Sequence, residues 1–247
     1  MTFGVDNENL FKNAVVGVAV SYAKTNVNSR TVTTAGTDVN SYQFALYGRY
    51  NLDARDFLSG MAAYGFHTNK TSREPAANKF AHGSYNANQF TLQGEFGRHY
   101  HYRDALVTPN LSLMWSHYMA GGYTETGAPG ANLVVGSSTL DMVQGGIGVE
   151  SGWKFRQKNG DVLKPEVHAR YLYDFAGQAL SMTAQFSGSG VAGWTASGAS
   201  PARSTFNVGG SLHLYRTNNW DFSASYDFRY KTGYTDNAVM LRAEYNF

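Results

Sequence analysis

Residues 42–52 read YQFALYGRYNL, and their alternation decides the fold. Tyr42, Phe44, Leu46, Gly48, Tyr50 and Leu52 form one row; Gln43, Ala45, Tyr47, Arg49 and Asn51 form the other. A period of two is the period of a strand with one apolar face. The same split recurs along the chain, near residues 16–22, 58–66, 90–96, 111–116, 143–155, 166–175, 206–214, 222–230 and 239–247. With 42–52 that makes ten strands, most with rows of about 9–11 residues, the length a tilted strand needs to cross a bilayer.

Alternation alone does not separate a membrane barrel from a soluble sandwich. Three further features favour the barrel. The apolar rows are nearly free of charge, with Arg98 alone extending one near its end. A Lys or Arg facing mid-membrane lipid costs about 2–4 kcal/mol, so a lipid face excludes them. The opposite rows hold Gly, Ala and Ser with scattered charges of both signs, which suits the crowded interior of a closed cylinder. Finally, long connections near 25–39, 67–87, 119–138 and 176–204 alternate with short ones near 52–56, 101–105, 156–161 and 216–219. Outer-membrane barrels pair long external loops with short periplasmic turns.

With the short turns placed in the periplasm, the aromatic residues sort by height. Tyr22, Tyr42, Tyr64, Phe66, Phe90, Tyr173, Phe175, Phe206, Phe228 and Tyr230 fall near the outer rim. Tyr50, Phe96, Tyr100, Trp153, Phe155, Phe222, Tyr245 and Phe247 fall near the inner one. Two aromatic belts on one apolar face match the two membrane interfaces. The expected fold is therefore an all-β, antiparallel, up-and-down transmembrane β-barrel.

Composition agrees. Of 247 residues, 15% are charged and 15% aromatic, 27 are Gly, and mean hydropathy is −0.37. No run of about 20 apolar residues announces a membrane helix. The net charge of +2 is too small for a nucleic-acid footprint. Cysteine is absent, which removes disulfide frameworks, thiol catalysis and Cys-based zinc sites. The start, MTFGVDNENLFKN, lacks an apolar signal core, so an export signal would lie outside this chain.

Strand direction poses a question. If 237–247 runs down to the periplasm, 14–23 runs up, and residues 2–6 (TFGVD) read as the foot of a preceding downward strand. Ten strands plus a stub depart from the even count usual for such barrels. Two outcomes are open: an open sheet completed by a partner or by residues outside the chain, or a ten-stranded barrel closed by pairing 14–23 with 237–247.

The layout resembles the C-terminal translocator β-domain of autotransporters, the type V secretion family. The resembling stretches are FGVDNENLFKNAVVGVAVSYAKTNV at 3–27, YQFALYGRYNL at 42–52, VQGGIGVESGWKF at 143–155, and the run from Phe206 to Phe247. The resemblance covers essentially residues 1–247 and rests on order and spacing. It implies a twelve-stranded pattern, with the first strands and a pore-threading linker helix absent here, and a passenger domain outside this chain. It further implies residence in the bacterial outer membrane and contact with its lipid. Val239, Leu241, Ala243, Tyr245 and Phe247 are similar to the terminal signal read by the barrel-assembly machinery, where an extended edge pairs through its backbone.

The same rows hold the candidates for chemistry. The histidines, His67, His82, His99, His101, His117, His168 and His213, share no tight metal-ligand spacing, and HYHY at 99–102 reads as polar interface at a short turn. No nucleophile elbow or phosphate loop appears, so neither an enzyme nor a cofactor is expected. The strongest constellation is the set of inward charges: Arg49, Glu95, Glu150, Lys154, Glu166, Arg170, Asp174, Asp227, Arg229, Arg242 and Glu244. They read as a salt-bridge network lining a hydrated path for a passenger or helix. The expected function is an outer-membrane translocator that anchors and helps secrete a passenger. The alternative is a surface adhesin or small porin acting through its long loops, above all 176–204.

Overall fold

The computed structural model describes residues 1–29, 35–188, 190, 192–198, 200–216 and 219–246. Phe247, the end of the terminal signal, lies outside the described residues. In chain order the strands are β1 (Thr2–Phe11), β2 (Ala14–Ser29), β3 (Ala35–Asn51), β4 (Asp56–Ala76), β5 (Lys79–Arg98), β6 (Tyr100–Tyr102), β7 (Ala105–Ala120), β8 (Tyr123–Thr124) and β9 (Leu133–Val135). There follow β10 (Ser138–Trp153), β11 (Phe155–Arg156), β12 (Val162–Asp174), β13 (Ser181–Phe186), β14 (Trp194–Ser197), β15 (Ser204–Tyr215), β16 (Trp220–Lys231) and β17 (Tyr234–Tyr245). No helix occurs among the described residues.

Eleven long strands form one antiparallel meander in the order β1-β2-β3-β4-β5-β7-β10-β12-β15-β16-β17, with β6 and β11 as short extensions against β7 and β12. The stretch 2–6 belongs to a full strand. Thr2 pairs with Ser21 and Phe11 with Ala14, and the Met1 amino group reaches the carbonyl of Tyr22. β1 thus rises as far as the outer aromatic row. Among the described residues β1 and β17 do not pair with each other, and the sheet is an open, curled wall.

The turns follow from local chemistry. Lys12–Asn13 and Ala77–Asn78 are two-residue hairpins whose asparagines take φ of 63° and 61°, a left-handed conformation that Asn tolerates. At the 52–55 turn, Asp53 Oδ1 accepts the amides of Arg55 (2.6 Å) and Asp56 (2.7 Å), and these bonds hold its carboxyl below the usual range.

The side-chain rows keep the expected split. Outward stand Val18, Leu46, Leu92, Leu111, Leu113 (58% exposed), Ile147 and Leu241, all open to the surroundings. Inward stand Gln43, Tyr47, Arg49, Glu95, Glu150 and Arg170. The outer belt is tied by rings and by polar tips: Tyr22 packs against Tyr42 in a tilted pair at 5.3 Å and donates its hydroxyl to Asn40 (3.0 Å), and Tyr64 donates to Asn88 (2.8 Å). An aromatic body in hydrocarbon with its hydroxyl turned to the polar side is what an interface favours.

The long connections differ from a simple loop picture. Residues 67–87 are a continuation of β4 and β5, which run 21 and 20 residues. At about 3.3 Å per residue each is far longer than the roughly 25 Å apolar band requires. The loops at 121–137 and 175–203 fold into a second sheet, ordered β14-β13-β9-β8. It is fastened to the tall β4–β5 hairpin. Arg73 grips the buried Glu125 through Nε (2.8 Å) and Nη2 (2.6 Å), and Tyr123 stacks on Tyr85 at 5.1 Å. His82 and Thr126 exchange both backbone bonds. Ala81, Ala87, Ala128, Val135 and Ala184 are buried in and around this cap, whereas the spanning wall has almost no conventional core.

A charge on the outward row should be penalised by lipid. Leu113→Arg is expected to lower folding stability in phospholipid vesicles by about 2–4 kcal/mol. Gln93→Arg, on the inward row, should shift it by no more than about 0.5 kcal/mol. Denaturant titration of vesicle-embedded protein reads both; equal penalties would reverse the assignment of faces.

Candidate functional site

The inward face is the site, and register determines what meets there. On the β2–β5 side, Tyr47 donates its hydroxyl to Asp6 (2.9 Å), reaching across β2 because Gly17 between them has no side chain to block the ring. Two residues lower on β3, Arg49 lies 3.7 Å over the ring of Phe57 and donates from Nη2 to His99 Nε2 (2.8 Å). Phe57 stacks on His99 at 5.1 Å and fills the space left by Gly97, which makes it a large apolar side chain buried on this row (5% exposed). Glu95 and Glu150 are near enough to act on the Arg49 charge. A recess of about 360 Å³ opens here, lined by Tyr47, Arg49, Ser59, Gln93 and Glu95 among others.

The bond geometry fixes the state of His99. Arginine only donates, so Nε2 accepts and the proton sits on Nδ1, which faces Thr108 Oγ1 at 2.9 Å. Burial first, and the Arg49 cation second, push the His99 pKa down. His99 lies in the turn after β5, beyond the span.

On the β10–β16 side the row Lys164, Glu166, His168, Arg170 of β12 is central. Glu166 pairs with Lys164, lies 2.9 Å from His213 Nε2, and receives the Ser211 hydroxyl at 3.4 Å. Asp227 of β16 is held by His168 Nε2 and Asn207 Nδ2, each at 3.0 Å. Arg170 passes over Gly148, within electrostatic reach of both Glu150 and Asp227, and its buried Nε has no hydrogen-bond partner among the described residues.

The eleven inward charges expected from the sequence therefore separate. Arg49, Glu95, Glu150, Glu166, Arg170 and Asp227 come together. Lys154 falls in the exposed break between β10 and β11. Asp174 caps the start of the external connection, accepting the amides of Ala176 (3.1 Å) and Gly177 (3.2 Å). Arg229 pairs with Asp236 (2.6 Å) near the β16–β17 hairpin, and Arg242 pairs with Glu244 (2.7 Å) on the edge strand. Lys164, His213, Asn207, Tyr47, Asp6 and His99 are additional members. His213 and Asn207 already stood in the inward row of 206–214, and Lys164 lies one step before the row that starts at Glu166; the partner of Tyr47 depends on register, which the sequence does not display.

Of the terminal signal, Val239 (75% exposed), Leu241 (80% exposed), Ala243 and Tyr245 share the outward row of β17, and Tyr245 rests against Trp220 at 5.2 Å.

Chemically this surface is a wall of charges tied sideways to one another. These pairs are part-buried, and they give the inward face a polar, cross-linked surface.

A family profile described as the autotransporter β-domain matches residues 1–227. Among curated proteins, outer membrane protein B of Rickettsia prowazekii (strain Madrid E) is 24% identical over 245 residues, covering 95% of this chain and 15% of that protein. Outer membrane protein B of Rickettsia conorii is 26% identical over 247 residues, with the same coverage of 95% and 15%. The chain thus spans about 15% of the length of these relatives. Among solved structures, the translocator domain of autotransporter NalP from Neisseria meningitidis superposes with a TM-score of 0.81 at 17% identity, covering 100% of this chain and 79% of that one. The β-domain of the Bordetella autotransporter BrkA gives 0.69 at 14% identity, covering 100% and 89%. At these identities the likeness is one of fold.

The neutral His99 predicts a pH dependence. In the unfolded chain it titrates near 6.5, and in the folded chain lower. The unfolded state then binds more protons below about pH 6.5, so His99 costs stability as pH falls through that value and nothing above it. Denaturant midpoints at descending pH should fall more steeply for the wild type than for His99→Gln; identical profiles would remove His99 from the account.

Proposed function

The chain belongs to the autotransporter β-domain family, and from that premise we propose that its inward face is the wall along which a passenger segment moves to the cell surface. The domain resides in the bacterial outer membrane and acts as a translocator barrel. The observation that carries the proposal is the division of the wall into an apolar outer face and a polar inner face on which Asp6, Glu166 and Asp227 are held by neighbouring side chains. Asp6, Glu166 and Asp227 are engaged by neighbours, and the reading is transport rather than catalysis.

Closure belongs to the same reading. Eleven alternating strands leave β1 and β17 both running toward the periplasm, so they are parallel to each other. One further upward strand between them makes every pairing antiparallel and brings the count to twelve. Such a strand, a pore-threading linker helix and the passenger would come from residues outside this sequence. The outward row of β17 would be the edge that the barrel-assembly machinery grips during insertion, by backbone pairing with alternate side chains supplying selectivity.

The test is photo-crosslinking in the full-length precursor. A photoreactive residue replacing Gln93 or Ser225, both inward, should crosslink to the precursor's own passenger or linker during export. The same residue at Leu113 or Ile147, both outward, should capture lipid only. Passenger adducts from the outward positions, with none from the inward ones, would contradict the proposed path.

A further inference from the structure

The external cap is fastened at one end and open at the other. Its strands run β14-β13-β9-β8, and the β8 end is tied to the β4–β5 hairpin by the Tyr123–Tyr85 stack and the His82–Thr126 backbone pair. At the opposite end β14 pairs with β13 from Trp194 to Ser197, and among the described residues no strand lies against its other side. An edge strand turns half of its backbone donors and acceptors away from its neighbour, which makes it a template for another chain. Proteins usually guard such an edge with lysine, proline or a bulge. β14 carries none of these: Trp194, Thr195, Ala196 and Ser197 are all exposed and lie in plain antiparallel register. The surrounding connection has the same character. Residues 175–202 contain no Asp, Glu, Lys or Arg, although they stand on the external side.

Register also states what would fit. On one side of the cap sheet Met182, Ala184 and Phe186 of β13 line up with Trp194 and Ala196; on the other, Ser181, Thr183 and Gln185 line up with Thr195 and Ser197. The apolar side is uncovered near the edge, where Trp194 rests against Phe186 at 5.3 Å and both rings are exposed. A strand added here has to be uncharged, with apolar side chains on one face and hydroxyls or carboxamides on the other. We propose that β14 is a docking edge for such a strand of the passenger as it leaves the barrel, joined by backbone pairing. The proposal rests on the translocator reading above, and two observations select this occupant. The cap gathers the β7–β10 and β12–β15 connections on the inward side of the tall hairpin, at the outer end of the proposed path. This chain spans about 15% of the length of its curated relatives, so in them most of the polypeptide lies outside the matched region. A segment tethered in the same polypeptide meets the edge at an effective concentration on the order of millimolar, an advantage that no separate partner has.

The test places photoreactive residues in the full-length precursor during export and identifies the adducts by mass spectrometry. A probe replacing Thr195 or Ser197 should give adducts with the precursor's own passenger. A probe replacing Ala77, at the exposed tip of the β4–β5 hairpin, should give several-fold fewer. With the probe at Ala196, Thr195→Lys/Ser197→Lys puts guard charges on the edge and should cut passenger adducts about fivefold, whereas Thr195→Ser/Ser197→Thr should leave them unchanged. Equal passenger adducts from Ala77 and from β14 would overturn the proposal, and so would β14 adducts formed only with a second copy of this domain. Passenger adducts at Gln93 with none at β14 would overturn the docking edge and leave the path standing. Passenger adducts at β14 with none at Gln93 would uphold the edge and sink the path.

Discussion

Every backbone donor inside a hydrocarbon layer must find an acceptor within the protein, and a sheet meets that demand only by closing on itself. The rest of this structure is arranged around that constraint. Ten hydrogen-bonded interfaces join eleven long strands without a break, so the interior of the wall is satisfied from Thr2 to Tyr245. The demand remains at two places, the outer edges of β1 and β17. Because the number of long strands is odd, those edges run the same way, and one added strand restores antiparallel order. The high exposure of Val239, Met240 and Leu241 on β17 is the side-chain counterpart of the open edge.

Once the backbone is paired, the two faces divide the remaining work. The outer face needs only to be apolar between its belts, and its side chains scarcely touch one another. The inner face is polar, and many of its charges find side-chain partners. Asp6 meets Tyr47, Arg49 meets His99, Glu166 meets His213 and Asp227 meets His168 and Asn207 on other segments, while Lys164 and Glu166 pair along β12. Glycines on the inward row, at positions 17, 97 and 148, give large side chains room to lie across a neighbouring strand. Apart from Phe57 and small wall residues such as Ala45 and Ala63, buried apolar side chains gather in and around the external cap, where Glu125 accepts Arg73 and the Leu133 amide together.

Much of this was legible in the sequence, because a period of two is a property of neighbouring residues. The identity of each face, the order of strands and the inward position of Arg49, Glu150, Glu166 and Asp227 all follow from alternation. What alternation omits is register and the end of a strand. Residues 67–87 alternate too weakly to announce a hairpin, since Asn, Thr, Ser and Lys serve both faces there, and the stretch reads as a loop. β1 reads as the stub 2–6 because Asn7, Glu8 and Asn9 break its apolar row just where its pairing with β2 shifts register. Lys154 and Asp174 sit at the ends of their rows, where a turn redirects the side chain. Phe57 is an inward aromatic that only Gly97, on the adjacent strand, makes possible.

Hydrogen exchange along β1 and β17 tests closure most directly. The amides of residues 2–11 and 234–245 would be followed in membrane-embedded protein, in this chain alone and in the full-length precursor. Closure by a further strand predicts rapid exchange of the outward-edge amides in the chain alone and strong protection of both edges in the precursor. Full protection of both edges already in the chain alone would mean that β1 and β17 pair with each other, and would contradict the twelve-stranded account.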